Sequence, residues 1–390
     1  MALRIQFMAL FEIIHMASNT KRKLTHVIVF FFLLTIVFVL GSFGLPSAWS
    51  EEKIGFLSRD ETAAINGYFI FLVFLSHLRS YIDSANYIFL DKGFLIVMSF
   101  LRQLVVVTFL FYSGYGIMES IKRKGPVYVF DLPFRRLAPF LLDVLLALFV
   151  FIAARVINGN GLPSLSRMLL SIVGWNSIGN SNWYIFAILS LWIITYISFR
   201  LAPRESQRYL ALSLVSILTL GYCLIMMREG VGTRFYNTVF CYPAGMLLSL
   251  TKEPIERLFS HYKMTIFPRI LVLAVLFTVF LLLHYNIKSR GLKYNVQAIV
   301  FALLISYCST FTTHISKPLV WAGKNLFFLF IYQRIPMMLF KPWLATNSPA
   351  FCLACFAAII PFCLVMPKVH TRWKAFFLDP KVTMGRDTPS

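Results

Sequence analysis

The sequence predicts an all-α integral membrane protein. Of its 390 residues, 58% are hydrophobic and 40 are Phe, and the mean hydropathy is +0.74, far above the range of soluble domains. The apolar residues form runs of about 20, the length that crosses about 30 Å of hydrocarbon as a helix. They fill every face of these runs, which is not the alternating pattern of a transmembrane β-barrel.

Eleven runs satisfy this length criterion. In chain order they are 27–45, 64–82, 94–117, 137–154, 182–199, 209–227, 235–250, 270–286, 295–313, 322–340 and 349–367. The polar connections between them are too short to hold a soluble domain, since the longest, around 155–181 and 251–269, have fewer than 30 residues each.

The basic residues lie mostly between these runs. The sequence has 37 Lys and Arg residues against 16 acidic residues, which gives a net charge of +21. In a nucleic-acid-binding protein such residues would cover a polar surface, whereas here they lie between apolar runs, as loop charges do in a membrane protein. One set of alternate loops, from Lys122 to Arg386 near the C-terminus, carries 18 basic residues, and the other set carries 10. The richer set is predicted to face the cytoplasm, and no nucleic-acid partner is expected.

The N-terminal run does not fit this alternation of loops between the two sides of the membrane. If the ten later spans begin and end in the cytoplasm, a span over 27–45 leaves the N-terminus outside despite Lys21, Arg22 and Lys23. The sequence predicts an extra span there, and a cleaved signal sequence or an interfacial hairpin remains an open alternative. The predicted organisation is an N-terminal segment (1–62), a membrane core (63–367) and a basic cytoplasmic tail (368–390).

One histidine lies inside a predicted span. His77 belongs to the stretch NGYFIFLVFLSHLRSY, residues 66–81, and ionisable residues at membrane depth often mark functional sites. A neutral imidazole there could act as a general base toward a hydroxyl. The alternative is a histidine that forms an interhelical hydrogen bond.

Two segments beside the basic loops are candidates for ligand binding. Ser113, Gly114 and Tyr115 interrupt an apolar run, where small residues permit either close helix packing or a gap for a thin ligand arm. Arg135 and Arg136 begin the next span, either as topology anchors or as bidentate ligands of phosphate.

Polar residues also occur in later spans. Trp183 and Tyr184 open a span at a predicted outer interface, where an aromatic belt is the ordinary explanation. Gln333 and Arg334 lie in the predicted outer half of another span, too deep for a routine anchor. Asp143 could pair with the two arginines that precede it or could belong to a separate buried ion pair.

Motifs of soluble enzymes are absent. No P-loop, GxGxxG, HExxH or GxSxG sequence occurs in a suitable context. The six cysteines lie almost entirely within apolar runs, so neither disulfides nor a metal site is expected, and Cys352 and Cys355 are interpreted as helix-packing residues.

Taken in order, these segments resemble the acyltransferase 3 superfamily, integral membrane O-acyltransferases with a core of ten helices. The matching residues are Gly67 and His77; Ser113, Gly114 and Tyr115; Arg136, Leu137 and Pro139; and Asn182, Trp183 and Tyr184. The segments 241–250 and 322–333 are similar to two later helices of the family. The resemblance covers about residues 60–367 and implies a ten-helix core after the extra N-terminal span.

Three positions depart from the family pattern. Asn66 stands where the family has a basic residue, Pro133 falls on the first Arg of a paired motif, and Gln333 occupies a position that is often His. The missing charge beside His77 could come from Arg79, Arg102 or Arg334.

The resemblance implies a reaction. An acyl group, expected to be acetyl, would pass from acyl-CoA, bound as a co-substrate, to a hydroxyl of a cell-surface or lipid-linked glycan in a bacterial inner membrane. No permanently bound cofactor is expected, and the partners would be membrane lipid, acyl-CoA and the glycan acceptor. The implied residues are His77 and Asn66 for catalysis, Ser113, Gly114, Tyr115, Arg135 and Arg136 for acyl-CoA, and Trp183, Tyr184, Gln333 and Arg334 for the acceptor.

Two other classes of function remain open at this point. A transporter, flippase or polymerase of lipid-linked glycans would share the many spans and scattered arginines, although no internal repeat is evident. A catalytically inactive relative serving as a scaffold or sensor would account for Asn66 and Pro133.

Overall fold

A computed structural model describes residues 57–81, 89–261, 266–287, 291–311, 315–344 and 348–378. These residues form helices joined by turns and loops, and no strand occurs among them. The predicted span over 27–45 and the last part of the predicted tail lie outside the described residues.

Fifteen α-helices are numbered here within the described ranges. They are α1 (Arg59–Arg79), α2 (Phe89–Leu101), α3 (Val107–Lys124), α4 (Pro126–Phe130), α5 (Ala138–Ile157), α6 (Leu165–Ile172), α7 (Asn182–Leu201), α8 (Arg208–Arg228), α9 (Cys241–His261), α10 (Ile266–Asn286), α11 (Tyr294–Cys308), α12 (Lys317–Lys324), α13 (Leu326–Tyr332), α14 (Arg334–Leu344) and α15 (Ser348–Phe377). A 3-10 segment, Arg102–Val106, joins α2 to α3, and a π-helical turn, Pro133–Leu137, leads into α5.

Eight described helices are long and apolar enough to cross a membrane, which confirms an all-α integral membrane protein. They are Arg59–Arg79, Leu95–Lys124, Pro133–Ile157, Asn182–Leu201, Glu205–Arg228, Phe267–Asn286, Tyr294–Phe311 and Ala350–Phe377. Each corresponds to one run found in the sequence.

Two predicted spans differ from expectation, so the described helices do not confirm a ten-helix core. The run 235–250 becomes α9, which starts only at Cys241 and continues through charged residues to His261. The run 322–340 is divided among α12, α13 and α14.

Local chemistry accounts for the breaks in this divided run. Asn325 ends α12, and its side chain donates to the carbonyl of Trp321, 2.9 Å away. Gln333 separates α13 from α14, where its side chain donates to the carbonyl of Phe330, 2.9 Å away. Pro336 follows in the first turn of α14, where its missing N–H is tolerated, whereas an unbroken helix would bring its ring against an earlier carbonyl.

Two pairs of helices cross so closely that only glycine fits at the crossing. A Cβ atom at Gly67 of α1 would overlap the carbonyl of Leu319 in α12, and one at Gly114 of α3 would overlap the carbonyl of Tyr242 in α9. Small residues at helix crossings are characteristic of membrane bundles, where packing rather than water exclusion drives association. These contacts bring α1 against the divided helix and α3 against α9.

The last helix runs through the boundary predicted at residue 367. In its final turns His370 and Lys374 are buried, and the indole N–H of Trp373 donates to the carbonyl of Leu142 in α5, 3.0 Å away. Residues 368–377 therefore pack with the membrane helices, and the predicted tail begins after them.

Candidate functional site

Two adjoining cavities lie at the end of the bundle that carries the basic loops. The larger, about 880 Å³, is here called the basic basin. The smaller, about 510 Å³, is called the apolar chamber. The two share the lining residues Arg59, Thr62, Tyr112, Ser113, Arg136 and Trp192. They therefore adjoin each other and share part of their walls, but their linings differ.

The basic basin is lined by positive charge from several helices. Its cationic residues are Arg59, Arg123, Lys124, Arg135, Arg136 and Lys252. Glu119 is its acidic lining residue, and that carboxylate is bound by the ammonium of Lys122 and the hydroxyl of Ser249, at 2.9 and 2.6 Å. The basin is suited to an anion with several charges.

The two predicted arginines differ in their partners. Arg135 is ion-paired with Asp131, Nε to carboxylate 2.8 Å, at an exposed position. Arg136 donates from Nε to the phenol oxygen of Tyr128, 3.2 Å away, and has no acidic partner within the described part of the chain, so its charge is uncompensated there. Arg136 also lines both cavities, whereas Arg135 lines the basic basin alone. Arg136 is the better placed of the two to hold an anion at the junction.

The apolar chamber is walled by aromatic rings from α3, α5, α7 and α13. The ring of Tyr184 lies 5.1 Å from that of Phe330 and 6.3 Å from that of Phe109. Phe140 packs edge-on against Trp192 at 5.2 Å and against Phe327 at 5.4 Å. Such walls favour an uncharged, extended ligand.

The structure separates the roles of the three consecutive residues in α3. Ser113 lines both cavities, and Tyr115 lines the basin, where the ammonium of Lys252 lies 5.9 Å from its ring centre. Gly114 instead faces the backbone of α9. Ser113 therefore lines a gap between helices, whereas Gly114 is a packing residue, and the prediction that Gly114 binds a ligand is corrected.

His77 lies away from both cavities. Eleven residues separate it from Asn66, which corresponds to about 16 Å along α1. Asn66 lines the apolar chamber, while His77 lies near the other end of the helix. Eleven positions are about three helical turns, so the two residues are separated along the helix axis. The two residues predicted to act together in catalysis therefore occupy different sites.

The residues next to His77 lie where α13 ends and α14 begins. The side chain of Gln333 lies against the imidazole, and the charge of Arg334 is close enough to act on it. Nδ1 of His77 and Oε1 of Gln333 are both enclosed, and neither has a hydrogen-bond partner among the described residues. A hydroxyl group bound there would have Oε1 of Gln333 as an acceptor and, in the Nε2–H tautomer of His77, Nδ1 as a second one.

Arg334 is held at this end of the bundle by a weak contact. Its Nη1 donates to the carbonyl of Gly179 at 3.5 Å, and Nε is enclosed without a partner among the described residues. Of the basic residues considered as the missing partner of His77, it is the one whose charge acts on the imidazole.

The predicted aromatic pair at the start of α7 is placed differently from expectation. Tyr184 lines the apolar chamber together with Ser113, rather than lying at an outer acceptor site. Trp183 is partly buried and packs edge-on against the ring of Tyr184, with centroids 5.8 Å apart. Tyr184 is thus grouped with the predicted acyl-CoA residues rather than with Gln333 and Arg334.

Sequence reasoning missed Arg59 and Lys252 as lining residues. Arg59 precedes the apolar run, but Ser58 and Glu61 form a capping box, with Glu61 N to Ser58 Oγ at 3.2 Å and Ser58 N to Glu61 Oε2 at 2.7 Å. The S-x-x-E pattern marks the true start of α1 and places Arg59 in its first turn, two turns before Asn66 on the same face. Lys252 had no local signal beyond its loop charge.

Comparisons with protein-family models, with curated proteins and with solved structures give no match. The resemblance to the acyltransferase 3 superfamily stays a prediction from the sequence motifs. The function of the chain is a proposal from the site's geometry and those motifs.

Proposed function

We propose that the protein is a membrane O-acyltransferase that moves an acyl group, acetyl in the simplest case, from acyl-CoA to a hydroxyl of a cell-surface or lipid-linked glycan. The observation that carries the proposal is the junction of the basic basin with the apolar chamber at Ser113 and Arg136. Acyl-CoA has the same two parts, a multiply phosphorylated nucleotide and a long, uncharged arm that ends in the thioester.

The donor would bind from the side predicted to be cytoplasmic. Its phosphates would occupy the basic basin, where Arg136 offers an uncompensated guanidinium and Arg123, Lys124 and Lys252 add charge. Its pantetheine arm would pass Ser113 into the apolar chamber between Tyr184 and Phe330. A bacterial inner membrane, with acyl-CoA on one face and glycan precursors on the other, suits this arrangement.

The reaction would take place beside His77. The neutral imidazole has an unpartnered Nδ1, which would take the proton of an acceptor hydroxyl as its oxygen attacks the thioester carbonyl. The C–O bond forms, the C–S bond breaks, and the imidazolium returns its proton to the departing thiolate, leaving an ester and free CoA. The cation of Arg334 would stabilise the oxyanion that forms between these steps.

The thioester would have to move beyond the apolar chamber to reach this point. Ile70 of α1 and Leu329 of α13 are buried between the two sites and line, with Gln333, a void of only about 10 Å³. Gln333 is the residue of this wall at which α13 ends and α14 begins, so we place the opening there.

The test compares two histidines that both lie in spans. Membranes containing the wild type, His77→Ala or His284→Ala are incubated with radiolabelled acetyl-CoA and glycan acceptor, and glycan acetylation is measured. His284 of α10 is the matched control because its ring lies 4.0 Å from that of Phe100, centre to centre, and no described residue of α10 lines either cavity. Loss with His77→Ala alone is expected, and undiminished acetylation in that variant would refute the role of His77.

A second candidate is a transporter or flippase of lipid-linked glycans. The specific observation in its favour is the divided helix with Arg334 beside its break, because discontinuous helices line the binding sites of many transporters. Export of glycan that continues in the absence of any acyl-CoA, and is lost with Arg334→Gln, would favour transport over acyl transfer.

A further inference from the structure

A buried chain of hydrogen bonds links three helices next to the His77 site. The hydroxyl of Tyr332 lies 2.6 Å from Nε2 of His370, and Nδ1 of His370 lies 2.9 Å from Oδ1 of Asp143. The ammonium of Lys374 lies 3.0 Å from Oδ2 of Asp143. These four residues are here called the Asp143 network, and they answer the question of what Asp143 pairs with.

The Asp143 network is buried within the bundle. Tyr332 and His370 have no exposed surface, and Asp143 and Lys374 are 6% and 9% exposed. The ring of Phe328 packs edge-on against His370 with centroids 5.1 Å apart. Buried polar groups are costly unless every one is paired, and when paired they fix a single arrangement of the elements that carry them.

The hydrogen-bond pattern fits one protonation arrangement. Lys374 already balances the charge of Asp143, so a neutral imidazole satisfies the network. Nδ1–H of His370 then donates to Asp143, and Nε2 accepts from the hydroxyl of Tyr332. A doubly protonated His370 would leave the Tyr332 hydrogen without an acceptor among the described residues.

The network ends one residue from the His77 site. Tyr332 is the last residue of α13, Gln333 forms the break, and Arg334 begins α14. The next side chain, Gln333, lies against His77. The hydroxyl of Tyr332 thus connects the end of α13 to α15 by its contact with His370. His370 in turn connects it to α5 by its contact with Asp143.

We propose that the Asp143 network is a positioning device that holds Gln333 and Arg334 against His77. The inference rests on the proposed function for the role of His77 as a base. Asp143, His370, Tyr332 and Lys374 are therefore positioning residues and touch neither donor nor acceptor.

The experiment uses Tyr332→Phe, which removes one oxygen atom and keeps the ring. The matched control is Tyr307→Phe, since Tyr307 is another buried tyrosine, and its hydroxyl donates to the carbonyl of Arg269, 3.0 Å away, at the far end of α11. Two quantities are measured in membranes: the rate of His77 modification by diethylpyrocarbonate, followed by mass spectrometry, and kcat and KM for acetyl transfer.

In Tyr332→Phe we expect faster modification of His77 and a fall in kcat of about 10- to 100-fold, because a displacement of about 1 Å at a reacting group has effects of that size. KM for acyl-CoA should stay unchanged, since Tyr332 lines neither the basic basin nor the apolar chamber. A merely structural role would instead lower the amount of active protein and leave both the modification rate and kcat per folded molecule unaltered.

Unchanged modification together with unchanged kcat in folded Tyr332→Phe would overturn the proposal, as would equal effects in Tyr307→Phe. Should Tyr332→Phe fail to fold, His370→Gln decides with the same two readouts, because glutamine can keep one of the two hydrogen bonds but lacks the two separated ring nitrogens that join Tyr332 to Asp143. A wild type without acetyl transfer refutes the proposed function alone, since the modification rate still tests the positioning of His77.

Discussion

Replacing Arg136 by glutamine tests the central feature of the site, the uncompensated charge at the junction of the two cavities. The neighbouring substitution, Arg135→Gln, removes the same formal charge and serves as the matched control. Arg135 is already paired with Asp131, whereas Arg136 donates only to the neutral phenol of Tyr128 among the described residues. We expect Arg136→Gln to weaken acyl-CoA binding far more than Arg135→Gln.

The size of the difference follows from these contacts. With Nε bound to Tyr128, the two terminal amino groups of Arg136 remain for a phosphate, and charge-assisted hydrogen bonds of this kind contribute about 1.5–3 kcal/mol. The expected loss of affinity for Arg136→Gln is therefore about 10- to 150-fold. Arg135 would act only through its field, about 0.4 kcal/mol per ligand charge at about 10 Å in water, and about 0.1 M salt lowers this to about a third. For a ligand with about four charges, the change amounts to about threefold.

The assay is equilibrium binding of a radiolabelled, unreactive CoA thioether to membranes at fixed ionic strength, because KM need not equal the dissociation constant. The double variant Arg135→Gln with Asp131→Asn restores the net charge of the basin and should bind like the wild type. Equal losses with Arg136→Gln and Arg135→Gln would refute direct contact by Arg136 and leave only a general field effect.

Three further outcomes are expected. Gly114→Val should lower the melting temperature, since overpacking costs about 1–3 kcal/mol, while Gly116→Ala, which has open space around it, should leave that temperature unchanged or raise it. Asn66→Ala should raise KM for acyl-CoA with little effect on kcat, and a fall in kcat alone would restore its catalytic assignment. Asp143→Asn should lower the free energy of unfolding by about 3–5 kcal/mol, because it leaves Lys374 buried without its partner. Adding Lys374→Met should recover much of that loss, as measured by thermal unfolding. Strictly additive effects of the two substitutions would contradict the ion pair.

The membrane bundle could be predicted from the sequence because membrane insertion is a local property. A run of about 20 apolar residues is favourable in hydrocarbon whatever its neighbours are, so eight described helices correspond to predicted runs. The prediction of one continuous span over 322–340 was wrong. Its mean composition is apolar, but the helix is interrupted at Asn325 and Gln333, and Pro336 has no N–H to donate. Hydropathy does not register these local features.

Parts of the candidate site were also visible in the sequence. The positions of Ser113, Arg136 and Gln333 were identified from polar or small residues at unusual depths, and each lies in a cavity or beside His77. The partner of Asp143 was not identifiable, because His370 lies 227 positions away on a helix that was predicted to end earlier. Nothing local records which distant helix supplies a partner.

The sequence by itself determined that this is a helical membrane protein with basic residues gathered beside particular helix ends and a histidine at membrane depth. Only the tertiary structure decided that Arg59 and Arg136 line the same two adjoining cavities and that Asn66 and His77 lie at different sites. It also decided that the hydroxyl of Tyr332 is hydrogen-bonded within the Asp143 network. The physical reason is that partitioning into a bilayer depends on the composition of one segment, whereas a cavity or a buried hydrogen bond depends on which helices meet and at what rotation.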